Sequence, residues 1–200
     1  MVIGITGSIA TGKTQIEKII KAKGYQVIDA DDLSHQALFR GTEVYYKTIA
    51  TFGETILNKD LSINRRKLGE VVFRDPSQRI ILEDFIHPYV KGKIAEAITK
   101  AAKSEFLFIS VPLLYETKME NLFDYIIVVY VSKAKQLERL IKRDKIDEDL
   151  ALIKISSQLS LDVKKKKADF VIDNEVDGLQ QLEWEIDILL DKIKEKANEI

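Results

Sequence analysis

The segment Gly7-Ser8-Ile9-Ala10-Thr11-Gly12-Lys13-Thr14 carries the densest chemistry in this chain. Two glycines five positions apart, followed at once by a lysine and a hydroxyl, complete the pattern G-x-x-x-x-G-K-[ST]. Glycines let backbone N–H groups turn inward around phosphate oxygens, and a helix that starts at the lysine adds its dipole to the same anion. Lys13 suits the β- and γ-phosphates of a nucleoside triphosphate, and the Thr14 hydroxyl suits a phosphate-bound Mg²⁺. Residues 7 to 14 are therefore expected to form the nucleotide site, with Thr14 as metal ligand.

Two further clusters could act on a phosphate or on its acceptor. Asp29-Ala30-Asp31-Asp32 follows a short apolar run, and a carboxylate at the end of a strand can accept a hydroxyl proton or hold metal-bound water. The three acids cannot all do chemistry: Asp32 reads first as the cap of the next helix, and the same reading is open for Asp29. Arg139 and Arg143 stand at i, i+4 and project from one helix face, where guanidinium groups fit phosphate bidentately. The same pair can form a solvated, salt-bridged face with Glu138 and Asp144. The run Lys164-Lys165-Lys166-Lys167 reads as solvated surface. His87, before Pro88 in an apolar helical pattern, reads as a packed structural residue, and nothing suggests a metal cluster.

The elements that must position these groups alternate. Val2 to Thr6, Tyr25 to Asp29, Phe106 to Val111, Tyr125 to Val131 and Ala168 to Ile172 are short runs rich in apolar residues, so strands. Lys13 to Lys23 has Ile16, Ile19 and Ile20 at helical spacing and ends at Gly24. Buried strands separated by helices predict a parallel sheet covered on both sides, an α/β three-layer sandwich. Leu33 to Lys103 reads as a helical insertion, with helices over Arg65 to Phe73 and Ser77 to Ala102, a start signal at Pro76 and a kink or break at Pro88. Ala134 to Lys167 reads as a charged helical flap over a ligand. Leu182, Ile186, Leu189, Leu190 and Ile193 form the apolar side of a last helix.

Composition bounds the rest. The chain has 200 residues, 46% hydrophobic and 32% charged, which suits one globular domain and excludes collagen-like or wholly disordered classes. Lys and Arg number 31 against 32 Asp and Glu, so no global charge argues for nucleic acid or an anionic membrane. Cysteine is absent, which removes disulfides, thiolate catalysis and Cys-ligated metals. The longest apolar run, Tyr125 to Val131, is far below the roughly 18 residues of a spanning helix. The N-terminus lacks the basic start of a signal peptide, and the chain is read as mature and cytoplasmic.

Among nucleotide proteins, a switch GTPase needs D-x-x-G and N-K-x-D. No glycine here has Asp three positions before it, and Asn58-Lys59 leads into Asp60 at the wrong spacing. A motor ATPase closes a long apolar strand with acids, whereas Phe106 to Val111 runs into Pro112-Leu113-Leu114. A small-molecule kinase remains, because the chain offers acceptor-side carboxylates and basic residues in a flap. A kinase for another nucleotide or alcohol, and a non-catalytic nucleotide sensor, stay open at this point.

The ordered set of motifs resembles the dephospho-CoA kinase family from Val2 to about Asn174. It comprises the phosphate loop; Asp29-Ala30-Asp31 with His35; Asn64-Arg65-Arg66-Lys67-Leu68 before Val72-Phe73; His87-Pro88-Tyr89-Val90; Val111-Pro112-Leu113-Leu114-Tyr115-Glu116-Thr117; Gln136-Leu137 with Arg139 and Arg143; Gln158-Leu159-Ser160-Leu161 with Lys164; and Ala168-Asp169 through Asn174. The resemblance implies ATP-dependent phosphorylation of the ribose 3′-hydroxyl of dephospho-CoA, with Mg²⁺. It implies a P-loop kinase core with a five-stranded parallel sheet at 1–32, 104–133 and 168–200, a helical acceptor insertion at 33–103 and a lid at 134–167. It also implies roles: Asp31 as the catalytic carboxylate, Arg143 as the lid residue reaching ATP with Arg139 second, and Asn174 near the adenine. His35, Arg65, His87 and Glu116 match positions that line or support the acceptor site. A small-molecule substrate, no nucleic acid or membrane partner, and a monomer or weak homo-oligomer complete the expectation.

Two positions depart from the family pattern. Ser110 stands before Val111-Pro112 where members often carry Asp, and Glu175-Val176-Asp177 follows Asn174 without the usual glycine.

Overall fold

The computed structural model describes residues 1–101, 106–175 and 178–198. In chain order the elements open with β1 (Val2–Thr6), α1 (Lys13–Ala22) and β2 (Gln26–Asp29). Four helices follow: α2 (Ala30–Ala37), α3 (Glu43–Phe52), α4 (Arg65–Arg74) and α5 (Pro76–Lys100). Then come β3 (Leu107–Ser110), β4 (Tyr125–Tyr130), α6 (Lys133–Asp144), α7 (Glu148–Ser156), α8 (Leu161–Lys167), β5 (Phe170–Asp173) and α9 (Leu179–Asn198). They form two compact units, Met1–Ile28 with Ala101–Ile200, and Asp29–Lys100. The expected helix end at Ala102, and Val176 and Asp177 of the altered loop, lie outside the described residues.

The first unit holds the expected five-stranded parallel sheet, in the order β2-β3-β1-β4-β5. Its three central strands, β3, β1 and β4, are almost wholly buried, which is why they read as continuous apolar runs rather than alternating ones. One face packs Ile3, Ile5, Phe108, Ile127, Val129 and Ile172 against Ile16, Ile19 and Ile20 of α1 and against the apolar side of α9. Each of these burials contributes about 1.5–3 kcal/mol. On the other face, a Cβ on Gly4 would strike Leu114 and Phe123, so the segment after β3 lies directly on the sheet. No helix among the described residues is long and apolar enough to cross a membrane.

In the second unit α2, α3 and α4 pack on α5. Its own core is Tyr45, Ile56, Ile63, Leu68 and Val72. Of the kink or break expected at Pro88, the break does not occur: α5 runs on through that residue. Proline cannot donate to the preceding turn, but Val90 and Ile94 just beyond it are buried and anchor the second half of the helix.

Helix starts follow local rules. Thr42, Asn64, Ser132, Asp147 and Ser160 each place a side-chain oxygen on a first-turn N–H. At α2 the cap is Asp29, whose carboxylate accepts from the N–H of Asp31. Asp32, the residue most open to a capping reading, lies exposed inside the first turn instead.

Candidate active site

The loop from Gly7 to Thr14 joins β1 to α1 as its pattern requires. Ala10 and Gly12 both have positive φ, 62° and 85°, which turns successive peptides around the loop. Gly12 is the N-cap of α1, so Lys13 and Thr14 occupy the first turn, where helix N–H groups and the dipole favour an anion. Thr14 is exposed there.

Several side chains from distant parts of the sequence brace this loop. Gln136 of α6 donates its amide to Ser8 Oγ and to the Ile9 carbonyl, both at 2.8 Å. Gln158, between α7 and α8, accepts from Ser8 Oγ at 2.8 Å and from the Ile9 N–H at 3.0 Å. Two glutamine amides therefore hold the front of the loop, and both belong to the helical stretch read as a flap. Asn174, just past β5 and 7% exposed, donates to the Thr11 carbonyl at 2.8 Å.

Lys164 corrects the reading of the lysine run as solvated surface. Its side chain has no exposure at all. The ammonium donates to the carbonyls of Gly7 at 2.8 Å and Pro112 at 3.0 Å, and pairs with Glu116 at 2.9 Å. Burial pushes its pKa down, and the hydrogen bond it donates to Glu116 pushes it back up. Glu116 also accepts the Leu159 N–H at 2.9 Å. It acts as a brace between the segment after β3 and the start of α8.

Lys13 has partners of its own. Its ammonium donates to Glu17 at 2.8 Å and to Ser110 Oγ, and Ser110 Oγ donates to the same Glu17 oxygen at 2.6 Å. Glu17 and Ser110 are buried.

The two arginines of α6 part company. Arg139 lines a cavity of about 220 Å³ with Gly12, Gln15, Asn174 and Leu179. Arg143 is half exposed and donates to Asp144 at 2.8 Å, and Asp144 also accepts from Lys154. These two cations hold the Asp144 carboxyl down at about 2. Arg143 thus takes the salt-bridged arrangement with Asp144, while Arg139 lies at the cavity beside Gly12. Glu175 accepts from the N–H and the hydroxyl of Ser132 at the start of α6, one on each carboxylate oxygen. Those bonds, with smaller contributions from Arg139 and Lys135, lower its pKa.

Asp31, His35, Arg65 and His87 lie in the second unit. Asp31 and His35 are exposed one turn apart on α2, and α2 packs on α5, which carries His87. His87 is exposed rather than packed, contrary to its apolar surroundings in sequence. Arg65 is exposed at the first position of α4, whose cap Asn64 accepts from the N–H groups of Arg66 and Lys67.

Mg²⁺ takes oxygen ligands, few of them from protein, and otherwise water and phosphate. The Thr14 hydroxyl and the nearby Glu17 carboxylate meet that description. Among the described residues no cluster of three His, Cys, Asp or Glu could hold a metal alone.

Reading residues by type missed Glu17, and it missed the bracing roles of Gln136, Gln158 and Lys164. For Glu17 a signal was present: an acid between Ile16 and Ile20 on the apolar side of α1, one turn after the loop lysine. For Lys164 its i, i+3 spacing from the buried Leu161, and its place in the motif Gln158-Leu159-Ser160-Leu161 with Lys164, separate it from the three lysines that follow.

Known proteins are similar to this chain over most of its length. The family model described as dephospho-CoA kinase (CoaE) matches residues 1–180. The dephospho-CoA kinase of Bacillus licheniformis is 42% identical over 193 residues, covering 96% of each chain. That of Listeria monocytogenes is also 42% identical, over 86% of this chain and 87% of its own. The solved structure of dephospho-CoA kinase from Campylobacter jejuni superposes with a TM-score of 0.77 at 32% identity, covering 98% of both chains. A family model over nearly the whole length and full-length relatives above 40% identity agree with the braced phosphate loop: the chain belongs to the dephospho-CoA kinase family.

Proposed function

We infer that this chain transfers the γ-phosphoryl group of ATP to the 3′-hydroxyl of dephospho-CoA, giving CoA and ADP. The observation that carries this reading is the preformed phosphate loop, with Lys13 and Thr14 in the first turn of α1, on a chain that matches the family model over residues 1–180.

Phosphoryl transfer asks little covalent help from protein; it asks for alignment and charge stabilisation. Lys13 and the N–H groups of residues 7 to 14 bind the β- and γ-phosphates, and Thr14 donates an oxygen to Mg²⁺. The bound ion neutralises charge on the phosphates. The cavity beside Gly12, Arg139 and Asn174 seats the adenine end of ATP. Asp31 accepts the proton of the attacking hydroxyl, and His35, Arg65 and His87 bind dephospho-CoA with it. Glu116 supports the acceptor side through Lys164. Arg143 exchanges Asp144 for the transferring phosphate when the stretch 134–167 closes as a lid. Residues 33–103 act as the acceptor-binding part. With this goes a cytoplasmic enzyme working as a monomer or weak homo-oligomer, without nucleic-acid or membrane partners.

The test is coupled ADP release at saturating ATP and Mg²⁺, with dephospho-CoA set against AMP, adenosine and shikimate, and products weighed by mass spectrometry. One phosphate added to dephospho-CoA alone is the expected result. Tight ATP binding without turnover of dephospho-CoA would overturn the acceptor assignment.

A further inference from the structure

Glu17 is a buried acid in a place where helix packing does not call for one. Its neighbours Ile16, Ile19 and Ile20 fill the core side of α1, and Glu17 itself is 3% exposed. Taking a carboxylate out of water costs several kcal/mol unless it is paired and hydrogen-bonded. Glu17 is both: Lys13 reaches it at 2.8 Å and Ser110 at 2.6 Å. Ser110 is the last residue of β3 and pairs in register with Ile5 of β1, two residues before the loop begins. It too is wholly buried.

Phosphate loops of this type work with an acid at the end of a neighbouring strand, which holds the metal side of the nucleotide. In this chain that strand end is a serine. The serine hydroxyl points at a carboxylate that arrives from α1 instead. The i, i+4 spacing of Lys13 and Glu17 makes this possible, since both side chains leave the helix on one face.

We propose that Glu17 takes the place of the missing strand-end acid: fixed by Ser110, it is a positioning residue that orients Lys13 toward the phosphates and faces the water shell of the Mg²⁺ held by Thr14. This rests on the reading of the loop as a site for ATP with Mg²⁺. One ammonium proton of Lys13 stays on Glu17 and one on Ser110 Oγ, which leaves the third for a phosphate oxygen. Lys13 and Ser110 share one carboxylate oxygen of Glu17, and the other would be the one available to the metal side when Mg²⁺ is bound. Replacing Glu17 removes the orientation of Lys13 and the metal-side charge together, whereas moving the acid to position 110 restores both.

The test compares wild type, Glu17→Gln, Glu17→Ala and the double variant Glu17→Ala with Ser110→Asp. ATP binding is measured by calorimetry with and without Mg²⁺, and the Mg²⁺ dependence of turnover is measured alongside. Glu17→Gln keeps the shape and a hydrogen-bonding oxygen, so it remains informative even if Glu17→Ala does not fold. The expected result is a loss of roughly 10–100-fold in the Mg²⁺-dependent part of ATP affinity for both single variants, with a matching rise in the Mg²⁺ needed for half-maximal turnover. ATP binding without Mg²⁺ should change by less than about threefold, and the double variant should recover most of the Mg²⁺ effect. A folded Glu17→Gln with wild-type Mg²⁺ dependence overturns the proposal. So does a folded double variant as impaired as Glu17→Ala. Wild-type protein whose ATP binding ignores Mg²⁺ would instead overturn the reading of the loop, and this inference with it.

Discussion

The ammonium of Lys164 donates to the carbonyl of Gly7 at 2.8 Å, so the first peptide of the phosphate loop is held by a fully buried cation from α8. The charge is tolerable because Glu116 lies 2.9 Å away. Removing that partner leaves an uncompensated buried charge. Glu116→Gln should therefore lower stability by about 2–4 kcal/mol at neutral pH. Burial already holds the Lys164 pKa below its ordinary 10.5, and loss of the carboxylate lowers it further. Between that lowered value and the unfolded value the unfolded chain binds more protons, so stability rises with pH across the window. The deficit of Glu116→Gln against wild type should thus shrink between pH 7 and pH 9.5, and Lys164→Met on the same background should remove most of it. Urea unfolding at both pH values checks this. An equal deficit at both would show that Lys164 is not the group responsible.

Gly12 is confined twice over. Its φ of 85° is a conformation that costs other L residues roughly 1–2 kcal/mol. A β-carbon there would also land on the Asn174 amide, which is bonded to the Thr11 carbonyl. Gly12→Ala should weaken ATP binding by more than about tenfold, and Asn174→Ala should do so less. Combining them relieves the clash and leaves the backbone strain, so the pair should stay below Asn174→Ala in stability. Calorimetry and thermal unfolding test this, and a Gly12→Ala that binds ATP normally would refute it.

Asp29 and Asp31 stand two residues apart, and substitutions there should separate a structural effect from a catalytic one. Asp29 caps α2 through the Asp31 N–H, so Asp29→Ala should cost about 1 kcal/mol of stability. Asp31→Asn leaves that cap intact. It should lower kcat by roughly 10²–10⁴ with little change in the KM for ATP. Steady-state kinetics with unfolding curves for both variants decide the matter. Substantial turnover by Asp31→Asn would move the base elsewhere.

Arg139 and Arg143 should give opposite kinetic signatures. Arg139 lines the cavity beside Gly12, so Arg139→Ala should raise the KM for ATP by about tenfold or more. Arg143 is held by Asp144, and Arg143→Ala should mainly lower kcat while dephospho-CoA binding stays near wild type. Lost acceptor binding in Arg143→Ala, seen by calorimetry, would reassign it to the acceptor side.

How far these features were legible depends on their range along the chain. The loop at 7–14 was readable because its glycines, lysine and threonine act through their own backbone and the helix they start. The stripe of α9 was readable for the same reason: Leu182, Ile186, Leu189, Leu190 and Ile193 repeat at helical spacing and are the residues buried. The choice between a break and a continuous α5 at Pro88 was not readable, since what anchors its second half is packing within the unit rather than propensity.

The amino-acid sequence by itself thus determined the α/β class, the phosphate loop, the two helical excursions and the family they spell. Only the tertiary structure decided which lysine of four lies inside, that a serine at the end of β3 faces an acid from α1, and which of three aspartates is a cap. The physical reason is separation. Backbone turns and helical faces are set within a few residues, whereas Ser110–Glu17 and Lys164–Gly7 join positions 93 and 157 residues apart. Such pairs exist only once the sheet order has brought the strand ends together.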